Sequence, residues 1–226
     1  MAKRKISALL FSFLFPLLCL LLVVFLTDRP LSLLPKTALK NKRAVLAVRD
    51  DVTPLQKTGS RLFTLGLLDE TYSHTCYITE NDDDHRAFED SLHRLLIQYD
   101  TVDIFLLAHG NYYYEYASRI DSVLRQKIGL VYNTGCGNAW QWTEWIARGA
   151  DTYIGHTGGQ SSSPYFYFFF LRRWCAGENV LESTMHANML MRKKLVLFAG
   201  ETGNEISNES EALIYGNRSI KLAADE

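Results

Sequence analysis

The sequence contains no C-x-x-C pair, and its four cysteines, Cys19, Cys76, Cys136 and Cys175, are widely spaced. That absence argues against a structural zinc site and against a disulfide framework. Cys76 and Cys175 are expected as buried free thiols, with a disulfide between them left open if the domain is exported. No basic stripe runs along the chain, so the electrostatic footprint of a nucleic-acid partner is missing. Internal repeats are absent too, as are low-complexity segments apart from aromatic clusters.

What remains is an ordinary globular composition, 47% hydrophobic and 22% charged over 226 residues, with one local exception at the start. After Met1-Ala-Lys-Arg-Lys5 the chain runs uncharged and apolar from Ile6 to Leu26. As a helix that segment would cross the roughly 30 Å hydrocarbon core of a bilayer. It is longer than a signal-peptide core and is followed by Thr27-Asp28-Arg29-Pro30 rather than a small-x-small cleavage site, so an uncleaved anchor is expected. The residues before Cys19 are Leu17 and Leu18, too bulky for a lipoprotein site, and Cys19 reads as a membrane-core residue. Lys3, Arg4 and Lys5 favour an inside N-terminus, while Arg29, Lys36, Lys40, Lys42 and Arg43 flank the other end. The expectation is a single-pass membrane protein with its domain on the extracytoplasmic side.

The expected organisation follows: residues 1–29 as stub and anchor, 30–43 as a proline-containing basic linker, 44–199 as one domain, and 200–226 as a polar, weakly packed extension. Within the domain, short apolar runs at 43–48, 75–78, 102–107, 128–132 and 152–155 read as buried strands. Helical spacing between them covers 59–70, a stretch with Phe88, Leu92, Leu95, Leu96 and Tyr99 on one face, then 120–127, 138–148, 164–174 and 178–193. The acidic turn Asn81-Asp82-Asp83-Asp84 offers N-caps for the second of these helices. Alternating strand and helix predicts an α/β three-layer sandwich with a mainly parallel sheet, whose ligands bind beyond the carboxyl ends of the strands.

Two reactive residues fall at such ends. The run IFLLAHG stops at Ala108-His109-Gly110, and IGLVYNTGCGN at Gly135-Cys136-Gly137. A thiol nucleophile needs a base and two backbone donors for the oxyanion. His109 is the candidate base, Cys136 the candidate nucleophile, and the N–H groups of Gly110 and Cys136 the candidate donors. A helix beginning near Asn138 would favour thiolate. Isolated, each residue reads as a satisfied loop histidine and a small buried hydrophobe; their joint placement beside glycines favours catalysis. A phosphatase loop would require Arg at 142, where Trp stands, and a nucleophile elbow would require Gly at 134 and 138, where Thr134 and Asn138 stand. His109, Cys136, His156 and His186 lack metal-ligand spacing, and no cofactor or metal is called for.

A hydrophobic strand ending in His-Gly, followed by another ending in Gly-Cys, resembles the caspase-like cysteine peptidases, on the side of the CHAT-type and gingipain members. The order after Cys136 is similar as well: a helix, Ala147-Arg-Gly-Ala150, a strand at 152–155, an aromatic helix through Phe166 to Trp174, and Gly177-Glu-Asn-Val180. The resemblance implies a caspase-like fold, endopeptidase activity through a thioester, peptide or protein as partner, and no cofactor. It assigns His109 as general base or acid, Cys136 as nucleophile, Gly110 as oxyanion donor, and a substrate loop at His156, Thr157, Gly158 and Gln160. Trp140 and Trp142 close behind the cysteine depart from the family pattern, as does the lack of an acidic pocket residue. The loop Asn111-Tyr-Tyr-Tyr-Glu-Tyr116 reads either as an aromatic platform lining the cleft or as packing over it. Two other functions stay open: a catalytically silent binding or signalling module, and a thiol hydrolase acting on a non-peptide ester or amide.

Overall fold

The computed structural model describes residues 33, 42–50, 58–80, 85–109, 111–159 and 162–222. The anchor and most of the linker lie outside these residues, as do Gly110 and Gln160. Among the described residues no helix is long and apolar enough to cross a membrane.

Strand β1 (Arg43–Asp50) is apolar and fully buried from Ala44 to Val48, so it must be covered on both faces and paired on both edges. It pairs in parallel with β2 (His74–Glu80) on one side and β3 (Thr101–Leu107) on the other. Beyond β3 lie β4 (Ile128–Asn133) and β5 (Thr152–His156), both parallel, and then β6 (Ala212–Gly216), antiparallel to β5. The sheet order is β2-β1-β3-β4-β5-β6. The molecule is thus α/β with a six-stranded, mainly parallel sheet.

Helices cover both faces, consistent with a three-layer sandwich. One face receives α2 (Arg86–Gln98), α3 (Tyr113–Ala117), α4 (Ser122–Arg125) and α5 (Trp142–Ala147); Phe88, Leu92, Leu95 and Leu96 of α2 join Leu46, Val48, Ile104 and Leu106 in one apolar cluster. The other receives α6 (Ser163–Trp174), where Tyr167 packs on Phe105 and Tyr132, and Phe170 on Tyr132. A π-helical turn, Arg61–Leu65, runs into α1 (Gly66–Thr71). The expected cap residues 81–84 of α2 lie outside the described residues; His85, left-handed at φ 46°, precedes the helix and caps nothing with its side chain.

The segment expected as a weakly packed extension is instead part of the fold. Helix α7 (Val180–Ser210) opens on a capping box between Asn179 and Glu182, then reverses at Gly200, whose φ of 56° and ψ of −128° suit glycine alone. The returning half packs so closely that a Cβ on Gly203 would lie 1.9 Å from the Leu195 carbonyl oxygen. Asn188 then exchanges two 3.0 Å hydrogen bonds with the backbone of Ala212, launching β6. Further on, the Lys221 carbonyl accepts from Arg43 Nη1 at 2.8 Å, so the domain extends to the last described residues. A polar composition is compatible with this packing, because a helical hairpin and an edge strand tolerate a polar outer face.

Candidate active site

β3 and β4 are hydrogen-bonded neighbours, with Leu106 opposite Asn133. The pairing continues one residue past the strand, where Thr134 N and Thr134 Oγ1 both donate to the Leu106 carbonyl. His109 and Cys136 therefore leave the same edge of the sheet on adjacent turns. His109 is exposed and Cys136 half-buried. Among the described residues no hydrogen bond joins the His109 ring to Cys136 Sγ. The Cys136 sulfur takes part in no disulfide.

Beneath the two turns lies a buried cluster of side-chain amides. Asn133 Oδ1 accepts from Asn111 Nδ2 at 3.1 Å, from Asn138 Nδ2 at 3.0 Å and from Gly135 N at 3.0 Å. Its Nδ2 donates to Asn111 Oδ1 at 3.3 Å and to Gln141 Oε1 at 3.2 Å. Asn111 Nδ2 also donates to the His109 carbonyl at 2.9 Å, and Gln141 Nε2 to the Asn111 carbonyl at 2.5 Å. Tyr153 OH donates to the Asn138 carbonyl at 2.7 Å; burial holds that hydroxyl above its usual range, so it stays a donor. Each amide thus satisfies its neighbours, and the network ties the histidine turn to the cysteine turn. Glycine is required between them: a Cβ on Gly135 would sit 1.9 Å from Asn138 Nδ2 and 2.8 Å from the His109 carbonyl oxygen.

Gly137 adopts φ 65°, a left-handed turn that glycine takes without strain, and its N–H donates to the Gly158 carbonyl at 2.8 Å. The helix expected at 138–148 is split into a 3-10 turn, Asn138–Gln141, and α5, so the element following the cysteine is too short for a full helix dipole. The two tryptophans diverge. Trp142 stacks flat on Tyr215 of β6, while Trp140 turns the other way, to Tyr112 and Tyr114.

The residues expected to bind substrate are dispersed in role. Thr157 is exposed, whereas Gly158 is buried, its N–H donating to the Glu209 carbonyl at 2.8 Å. His156 is completely buried at the end of β5, between Tyr132 and Phe166, with Nδ1 donating to the Ser210 carbonyl at 2.7 Å. Burial pushes its pKa down to about 4, so the ring is neutral. It is placed as a packing residue, not as a surface that a substrate touches.

The other described thiols, Cys175 and Cys76, stand elsewhere in the fold. Cys175 is buried and its thiol is pushed up to about 12, first by burial. Cys76 is half-buried on β2, with Arg94 Nη2 3.9 Å from its sulfur. No three His, Cys, Asp or Glu side chains gather at metal-binding distance among the described residues. Neither a scan against protein-family models nor a search of curated proteins returns a match.

Proposed function

We propose that this chain is a caspase-like cysteine endopeptidase, held at a membrane by residues 6–26 with its domain on the extracytoplasmic side. The adjacency of β3 and β4 carries the reading, because it sets an imidazole and a thiol on neighbouring turns that one amide network holds together. In the reaction, His109 takes the proton of the Cys136 thiol as Sγ attacks the peptide carbonyl carbon and forms the S–C bond. The C–N bond then breaks, His109 delivers the proton to the leaving amine, and a thioester remains. Water, deprotonated by His109, hydrolyses the thioester and releases the carboxylic acid and the thiol. The N–H groups of Cys136 and Gly110 would receive the oxyanion. Among the described members of the expected substrate loop, Thr157 is open to solvent.

The test is alkylation by iodoacetamide, followed residue by residue by mass spectrometry. Cys136 is expected to react at least tenfold faster than Cys76 and Cys175, and to lose that excess in His109→Ala. A peptide mixture incubated with the full chain is expected to be cut, and left intact by Cys136→Ala. The lack of a hydrogen bond between the His109 ring and Cys136 Sγ among the described residues favours one rival, a silent module that holds peptides in the same crevice. Slow, uniform alkylation with no cleavage would establish that rival instead, and cleavage of esters alone would point to a non-peptide thiol hydrolase.

A further inference from the structure

Resting on that reading, we infer that Tyr112 and Trp140 form a shelf beside Cys136 that takes an aromatic or large apolar side chain of the peptide substrate. Tyr112 lies three residues beyond His109 and Trp140 four beyond Cys136, so each reactive turn contributes one ring. The rings meet with centroids 6.4 Å apart and planes tilted at 56°. Both are exposed, Tyr112 by 55% and Trp140 by 51%, though large aromatics ordinarily bury their area in the core.

The shelf is also backed and stiffened from below. Tyr114, only 8% exposed, meets Trp140 edge-on at 6.2 Å and Tyr112 at 6.0 Å. The Arg148 guanidinium covers the Tyr114 ring at 5.0 Å and pairs with Glu144 at 2.6 Å. These contacts fix the rings before any ligand arrives, which lowers the ordering cost of binding. Arg148 and Glu144 thereby engage each other, and the exposed ring surfaces are left to select by shape and apolar contact. The occupant follows from continuity: a substrate whose carbonyl reaches Cys136 must lay its neighbouring side chains against the turns that carry these rings.

The experiment uses the full chain in detergent micelles and four peptidyl acyloxymethyl ketones that differ only in the residue bearing the electrophilic carbonyl: Phe, Ala, Lys or Asp. Labelling of Cys136 is expected about tenfold faster with the Phe probe than with the Ala, Lys or Asp probe. Trp140→Ala and Tyr112→Ala should abolish that preference and Trp140→Phe restore most of it, while the rate with iodoacetamide stays within twofold throughout. Equal rates with all four probes, or a preference for Lys or Asp, would overturn the shelf while leaving the His109–Cys136 reading intact if iodoacetamide still singles out Cys136. Loss of that iodoacetamide selectivity in the unmutated chain would overturn both.

Discussion

The two ends of strand β4 solve one problem with different chemistry. At its start, the ladder to β3 carries a bulge: Val102 faces Ile128 and Ile104 faces Val131, so Asp103 stands against two residues. The Leu130 N–H thereby freed donates to Asp103 Oδ1 at 2.9 Å. Arg43 holds the same carboxylate through two 2.9 Å bonds, and Tyr72 OH donates to it at 2.5 Å. Trp174 Nε1 donates in turn to that hydroxyl at 2.8 Å. Burial first, and the neighbouring carboxylate second, keep Tyr72 well above its ordinary pKa, so it remains a donor. At the end of the strand, the amides of Asn133, Asn111, Asn138 and Gln141 do the equivalent work without net charge. Charge locks one end of the strand, whereas at the other end neutral amides position the turns that carry the proposed dyad, with no buried ion in the network.

The comparison breaks most visibly if the charged edge is cut. Asp103→Ala leaves the Arg43 guanidinium, 13% exposed at its side chain, without its partner. The expected loss is about 3–5 kcal/mol of folding stability, read by urea denaturation. In the protein that remains folded, Cys136 should keep its alkylation rate, because the defect lies at the opposite end of the sheet. A parallel fall in that rate would show that the two ends are not independent.

His156 offers the next largest effect. Its folded pKa is depressed to about 4 from an ordinary 6.5, so between these values the unfolded chain binds a proton that the folded chain does not. Its contribution is complete above about pH 6.5 and is lost as pH falls towards 4, by roughly 3 kcal/mol over the window. Denaturation midpoints measured from pH 7 to pH 4.5 should show this slope, and His156→Asn should flatten its share of it. An unchanged slope in the variant would assign the acid sensitivity to other groups.

The parallel strands were legible because each is an apolar run stopped by polar or small residues, a local signal that burial in a two-sided sheet demands. Strand β6 was less so. Ala212-Leu-Ile-Tyr215 is apolar enough to stand out, yet its role depends on pairing with β5 some sixty residues earlier, which no local pattern encodes. The candidate dyad showed itself through reactive residue types at strand ends. Its supporting amides did not, since Asn111 and Asn133 look like ordinary turn residues until they meet across 22 positions. One clue was available: Asn133-Thr-Gly-Cys-Gly-Asn-Ala-Trp-Gln141 is dense in amides on both sides of the cysteine. Likewise, the spacing of aromatics could not say that Trp140 and Trp142 would part, one to the shelf and one to β6.

Removing the hub of the neutral edge should cost less than removing Asp103 but reach the site. Asn133→Ala leaves buried polar atoms of Asn111, Asn138, Gln141 and the Gly135 N–H short of partners, an expected loss of about 2–3 kcal/mol. Alkylation of Cys136 by iodoacetamide should lose its advantage over Cys76 by at least fivefold, since the turn is no longer tied to the His109 carbonyl. Retention of the full advantage would reduce the network to a purely structural role.

The smallest and sharpest comparison uses the same methyl group at both ends of β4. A Cβ on Gly129 would sit 2.8 Å from Asp103 Oδ1 and 2.8 Å from Thr101 Cγ2; on Gly135 it would meet Asn138 Nδ2 and the His109 carbonyl oxygen. Each alanine must push aside a hydrogen-bonded neighbour, so Gly129→Ala and Gly135→Ala should each cost about 1–3 kcal/mol, Gly135→Ala the more because its Cβ would lie 1.9 Å from Asn138 Nδ2. Compared at matched stability, the two should have different consequences. Displacing Asp103 disturbs a buried ion pair remote from the thiol, whereas displacing Asn138 and the His109 backbone moves the two reactive turns relative to each other. Gly135→Ala is therefore expected to slow selective alkylation of Cys136 several-fold, and Gly129→Ala to leave it unchanged at matched stability. Equal slowing in both would mean that reactivity follows global stability, and the division of labour between the two ends of the strand would fall.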